Sequence, residues 1–343
     1  MESISYQKKK NYSLRTMSYQ LKMLMLILLS ISILSCDSST NGPIGEGFYW
    51  ERTSGPSNAA CSLAVARNGD IWVSAGSEIY LSTDNGNTWI QKGSFVHTIE
   101  PIVVNPINGY IFAGSTVHGL LRSTDNGESW VQITNNMHVF DIVIAPSGEI
   151  YFGTGGSIQY SSNNGNTWIT KSNGLPLQAV VSLALENDGT LYAGIDNLGT
   201  DLSGVYRSTD GGGNWLPCDA NEYFIDITVS DDGSIFAATL GSKVLRSVNR
   251  GVNWDQINTG LDGWGTRAII YNPITMCIFV SVAISFDDSK IYRSTNFGAN
   301  WELKSDGIQN RTSHIHSFAF NFNTGQMFAA TDGGVYRSRN YPN

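Results

Sequence analysis

The chain has 343 residues, 41% hydrophobic and only 15% charged, with 36 glycines and a formal net charge of −8. Five of its 21 basic residues fall in the first 35 positions against one acid, so the remainder carries 16 basic against 28 acidic groups. A surface that negative, with no basic cluster to offset it, repels phosphate backbones and excludes nucleic acid as a partner.

In chain order, the first element is an export signal. Lys8, Lys9, Lys10, Arg15 and Lys22 precede "LMLILLSISIL", Leu24 to Leu34. This run falls short of the ~20 residues of a spanning helix and suits the centre of a signal peptide. Residues 1–35 are therefore read as the signal, with Met17 as a second possible start. "ILSC", Ile33 to Cys36, resembles the bacterial lipoprotein box, although Leu34 stands where a small residue is usual. That resemblance implies lipidation of Cys36 and an exported protein held at a membrane, periplasmic or at the cell surface. A plain secretory signal and an uncleaved anchor are the alternatives. Residues 36–47, "CDSSTNGPIGEG", form a flexible tether. Beyond Cys36 the cysteines are Cys61, Cys218 and Cys277, an odd number without C-x-x-C spacing, which predicts free, mostly buried thiols.

From residue 48 the chain repeats itself. Trp50, Trp89, Trp130, Trp168, Trp215, Trp254 and Trp301 divide it into seven units of roughly 42 residues. Each unit holds an alternating run such as "DIVIA" or "DITVS", a turn usually closed by glycine, and a second run such as "EIYFGTG". A third run such as "GVYRS" follows, and a fourth begins at the tryptophan. Period-2 alternation between glycine and asparagine turns means strands, and four per unit means propeller blades. The last unit stops at "GVYRSRNYPN" without its tryptophan, while "GFYWERTSG", Gly47 to Gly55, supplies the missing strand at the other end. The expectation is an all-β, seven-bladed propeller of four-stranded antiparallel blades over residues 48–343, closed by its N-terminal strand.

The turn before each tryptophan reads "STDNGNTW", "STDNGESW", "SSNNGNTW", "STDGGGNW", "SVNRGVNW" and "STNFGANW". These copies resemble the BNR or Asp-box repeat family, whose motif is S-x-D-x-G-x-T-W, with asparagine replacing aspartate in three of them. The matching positions are Ser82, Asp84, Gly86 and Trp89; Ser123, Asp125, Gly127 and Trp130; and Ser161, Asn163, Gly165 and Trp168. They continue with Ser208, Asp210, Gly212 and Trp215; Ser247, Asn249, Gly251 and Trp254; and Ser294, Asn296, Gly298 and Trp301. The resemblance takes in sialidase, sortilin, xyloglucanase and photosystem II stability factor-type propellers, which share a fold and little function. The box residues need nothing from outside: Ser and Asp bond local amides, Gly takes a positive φ and Trp packs on the hairpin. Arg122, Arg207, Arg246, Arg293 and Arg337 recur at one repeat position and read as structural too.

Chemistry is therefore expected at the end away from the boxes, where His97, His118, His138, His314 and His316 all map. Aligned first strands bring Glu100, Arg267 and His316 to one depth near the axis, with His138, Tyr223 and His314 one step toward the rim. Trp264, flanked by glycines in "GLDGWGT", is expected to be partly exposed. Longer loops add Asp196, Asp201, Asp287 and Asp288, read as solvated, and no metal or cofactor is implied. The reading is a monomeric, non-catalytic binding or assembly module for a glycan or protein partner. The alternative is a glycoside hydrolase, sialidase-like or xyloglucanase-like. No "RIP" motif is present, however, and xyloglucanase-type enzymes use a cleft between two propellers.

Overall fold

The computed structural model describes residues 48–196, 204–218, 222–285, 288–308 and 314–339. The signal, Cys36 and the tether lie outside the described residues, as do Asp201 and Asp287.

The described strands form seven four-stranded antiparallel sheets. Six blades take four consecutive strands each, beginning at β2 (Ala60–Val65), β6 (Ile99–Val104), β10 (Asp141–Ile144), β14 (Val180–Leu185), β18 (Phe224–Val229) and β22 (Gly265–Asn272). The seventh contains β26 (Ile315–Asn321), β27 (Gln326–Thr331) and β28 (Gly334–Arg339), and its outer strand is β1 (Tyr49–Arg52). Tyr49 lies opposite Arg339, and Arg52 opposite Tyr336. The N-terminal strand thus closes the ring as the sequence predicts, covering the edge β28 would otherwise expose.

Second strands are sandwiched between neighbouring blades, which explains their near-continuous apolar runs. Every residue of β3 (Ile71–Ala75), β7 (Ile111–Ser115), β15 (Leu191–Ile195) and β19 (Ile235–Thr239) is buried. The turn after each first strand needs a left-handed residue. Gly69, Gly109, Gly148, Gly189, Gly233 and Gly325 supply it, and Met276 does so in the sixth blade, at φ 54°.

The repeated turn is built from its own side chains. Ser82 Oγ donates to Asp84 Oδ1 at 2.9 Å, and the Gly86 and Thr88 amides donate to Ser82 Oγ and Asp84 Oδ1, both at 2.8 Å. Asn163 reproduces the pattern, accepting from Ser161 Oγ and the Thr167 amide at 2.9 and 3.0 Å. Hydrogen bonds from Ser129 and Ser123 hold the Asp125 carboxyl down at about 2.

Three details refine the sequence reading. Outer strands start one residue after the tryptophan, at Ile90, Val131, Ile169, Leu216, Asp255 and Glu302, because the indole belongs to the turn. Trp50, Trp215 and Trp301 are buried, while Trp89, Trp130, Trp168 and Trp254 are half-buried at the rim. The three described cysteines are free, but only Cys277 of them is buried; Cys61 and Cys218 are half-buried.

Candidate functional site

Six of the seven first strands carry a register jump near their start, between Ala60 and Ser62, Ile99 and Ile102, Val180 and Ser182, Phe224 and Asp226, Thr266 and Ile269, and Ile315 and Ser317. A bulge leaves a residue unpaired and re-aims its side chain. Here the skipped residues include Cys61, Glu100, Val181, Ile225, Arg267 and His316, and all six line one cavity at the axis together with Phe140 of the third blade. The cavity holds about 230 Å³.

Around this ring the chemistry divides. Arg267, His316, Cys61 and Glu100 come from four successive blades across the closure, and Phe140, Val181 and Ile225 from the remaining three. At this level one arc is polar and the other apolar, although deeper residues of both arcs mix the two. His138, two residues before Phe140, stacks on that ring at 3.8 Å and brings Nε2 to 2.8 Å from Glu100 Oε2. Asp332 bridges two imidazoles, with Oδ1 2.7 Å from His316 Nε2 and Oδ2 3.1 Å from His314 Nδ1. Arg267 Nε is buried without a hydrogen-bond partner, and so is His314 Nε2.

The structure thus places Glu100, Arg267 and His316 on the cavity wall and links His138 and His314 to it through their partners. Tyr223 and Trp264 do not line it. The Asp196 carboxylate beside Tyr223 raises its phenol, and Trp264 is 44% exposed on a loop. His97 and His118 pack edge to face, 4.5 Å between centroids, and also stay off the wall. Among the described residues no three His, Cys, Asp or Glu side chains stand together as metal ligands.

Sequence reasoning missed the next layer down, where Ser62, Asp141, Ser182, Asp226 and Ser317 also face the cavity. Asp141 Oδ2 accepts the Leu183 amide of the next blade at 2.7 Å, and Asp226 Oδ2 accepts the Ile269 amide at 2.9 Å. Ser182 Oγ does the same for Ile227 at 3.1 Å. These side chains pin the seams between successive blades. Burial, partly offset by the Leu183 N–H and reinforced by the Asp226 carboxylate, pushes Asp141 up to about 7; burial lifts Asp226 to about 7 as well. The available signal was an acid at the inward-facing position of otherwise apolar "DIVIA" and "DITVS".

The box arginines are structural staples. Arg122 Nη1 reaches the Asn164 carbonyl of the next blade at 2.5 Å, Arg207 the Arg250 carbonyl at 3.1 Å, and Arg337 the Asn85 carbonyl at 2.5 Å. Arg246 instead lies over Phe297 of the next blade, 5.3 Å from its centroid, while Arg293 stays with Glu302.

No family model matches the chain, and no curated protein does. Solved structures do resemble it. One described as YCF48 bound to D1 peptide superposes with a TM-score of 0.66 at 15% identity, over 90% of this chain and 99% of that one. Virginiamycin B lyase from Staphylococcus aureus gives 0.68 at 15% identity, over 85% and 99%. The GH74 enzyme of Niastella koreensis gives 0.67 at 18% identity, over 85% of this chain but 53% of the enzyme. At such identities what is shared is the fold, and the chain is a seven-bladed β-propeller like these.

Proposed function

We propose that the chain is an exported, lipid-anchored propeller of the Asp-box type whose axial mouth binds a polar or anionic group of a protein partner. The observation that carries this reading is Arg267, a guanidinium on the cavity wall whose buried Nε has no hydrogen-bond partner. A buried donor left unmet is costly, and an incoming oxygen would satisfy it. The apolar arc of Phe140, Val181 and Ile225 offers contact area on the other side of the same opening. The neighbour described as bound to a peptide supports a protein partner, in a propeller matched over nearly its whole length. Asp141 and Asp226 spend their oxygens on backbone amides, one of their own strand and one of the next blade each, which favours binding over paired-carboxylate hydrolysis.

A panel of anionic peptides and glycans, screened with a parallel assay for released reducing sugar, tests the reading. Arg267→Ala should weaken binding of a peptide hit by about tenfold or more at unchanged melting temperature. Asn126→Ala, at the box end, should leave it unchanged. Hits confined to glycans would move the partner to a sugar, with exposed Trp264 as its platform. Released sugar, or equal loss from both variants, would overturn the reading.

A further inference from the structure

Three blades shape the seam to the next blade with a glycine placed six residues past their own tryptophan. Gly174, Gly260 and Gly307 hold φ of 92°, 93° and 91°, where a Cβ would collide with the carbonyl of Trp215, Trp301 or Trp50 in the following blade. The residue before each glycine accepts that tryptophan's amide: Asn173 from Trp215 at 2.8 Å, Thr259 from Trp301 at 3.0 Å and Asp306 from Trp50 at 2.7 Å. The turn lies tight against the following tryptophan, and all three tryptophans are buried.

The second blade departs from this pattern. Asn136 stands at the glycine position and is not left-handed, so "TNNM" does not repeat the turn written "SNGL" in the third blade. A cavity of about 470 Å³ lies between the second and third blades, and its lining includes Trp168, Phe152, Met137, Gln132, Asn135 and Gln159. Trp168 stays half-buried. No lining residue is shared with the axial cavity, and none is charged.

The volume falls within the range of about 300–1,000 Å³ found for small-ligand sites. Trp168 Nε1 is spent on the Ile133 carbonyl at 3.2 Å, and the ring meets Phe152 edge to face, 4.8 Å between centroids. The indole therefore offers the cavity carbon alone. Carboxamides supply the polar part. Gln132 Nε2 donates to the Thr134 carbonyl at 3.0 Å and to Asn136 Oδ1 at 2.9 Å. Gln159 Nε2 donates to Ser157 Oγ at 3.0 Å and to Thr170 Oγ1 at 3.1 Å. These bonds hold both glutamines in place, while Gln132 Oε1 and the Asn135 carboxamide take no hydrogen bond among the described residues.

We propose that this seam cavity binds one pyranose unit of a neutral oligosaccharide. A pyranose presents apolar C–H faces, which suit the indole, and a rim of hydroxyls, which carboxamides meet as both donors and acceptors. An uncharged wall gives a phosphate, carboxylate or ammonium no counter-charge, and a wholly apolar ligand would leave the amides unpaired. The site is independent of the axial mouth and of the reading given to it above.

Isothermal titration of the full chain with neutral oligosaccharides of hexose, pentose and N-acetylhexosamine units tests the proposal, with sulfated and uronic analogues alongside. At least one neutral oligosaccharide should bind with a Kd of about 1 mM or tighter. Gln132→Ala combined with Asn135→Ala, both exposed positions, should weaken that binding by about tenfold at unchanged melting temperature. Asn136→Gly combined with Met137→Leu writes the turn of the third blade into the second. It should weaken binding at least as much while the melting temperature holds or rises. Loss in both pairs supports the seam site and leaves the axial reading as it stands. Absence of neutral-sugar binding, binding confined to the charged analogues, or binding that survives either pair overturns it. Loss on Arg267→Ala or Trp264→Ala in place of these variants puts the sugar at the mouth end and overturns it too.

Discussion

Trp130 in the second blade donates its indole N–H to the Lys92 carbonyl of the first across 2.9 Å. Trp168, Trp215 and Trp301 reach back in the same way to Ile133, Lys171 and Ile257, and Trp50 to Lys304. Arg122, Arg207 and Arg337 reach forward to the following blade. The repeated turn thus ties each blade to both neighbours, and the tie is what its mutation should test. Trp301, buried and bonded at 2.5 Å, should cost about 3–5 kcal/mol as alanine. As phenylalanine it should lose only about 1 kcal/mol. Trp254 bonds its own Gly251 instead and should be cheaper to remove. Urea unfolding of the three variants decides the matter, and equal losses at Trp254 and Trp301 would count against an inter-blade role.

Closure makes a second prediction. Removing residues 48–53 takes away β1, with its buried Trp50 and the Glu51 carboxylate bonded to Arg337 at 2.5 Å. The melting temperature should fall by about 10 °C or more, or the cooperative transition should vanish. Removing residues 37–45 should leave melting unchanged. Thermal melts of the two truncations that coincide would refute ring closure by β1.

The seam carboxylates predict an unusual pH dependence. Asp141 and Asp226 have folded values of about 7 against an ordinary 3.8, so between those limits the folded chain holds more protons than the unfolded one. Stability should therefore fall as pH rises through this window and level off above it. The box carboxylates act oppositely. Asp125 and Asp210, held at about 2, lose their contribution only as pH falls below the ordinary carboxylate range. Asp226→Asn should flatten the slope between about pH 5 and about pH 7, read from urea midpoints. A native chain that gains stability steadily across that interval would exclude the assignment.

Met276 offers a test of backbone strain. It takes φ 54° where the other six blades place glycine, and its side chain is 55% exposed. A left-handed L-residue costs about 1–2 kcal/mol, and glycine's extra chain entropy offsets about 0.5–1 kcal/mol of that. Met276→Gly should stabilise the fold by up to about 1 kcal/mol, whereas the β-branched Met276→Ile should destabilise it. A midpoint shift in the opposite order would show that the turn is unstrained.

By itself the sequence determined the blade count, the closure between "GFYWERTSG" and "GVYRSRNYPN", and the end of the ring at which the boxes lie. Those features follow from local rules, since strand alternation and the Ser-Asp-Gly turn repeat within a few residues of each other. It also brought Glu100, Arg267 and His316 to one depth, because equal repeat positions occupy equal depths. Only the tertiary structure decided which way each side chain points. The bulges in the first strands slip the register and turn Cys61, Val181 and Ile225 inward with the charged residues. The seams were equally hidden, because Asp141 and Leu183 belong to neighbouring blades and meet only once the ring has closed. That Trp264, which shares the mouth end by sequence, does not line the cavity was also decided only by the tertiary structure, whereas Tyr223, set one step toward the rim by its repeat position, stays off the wall accordingly.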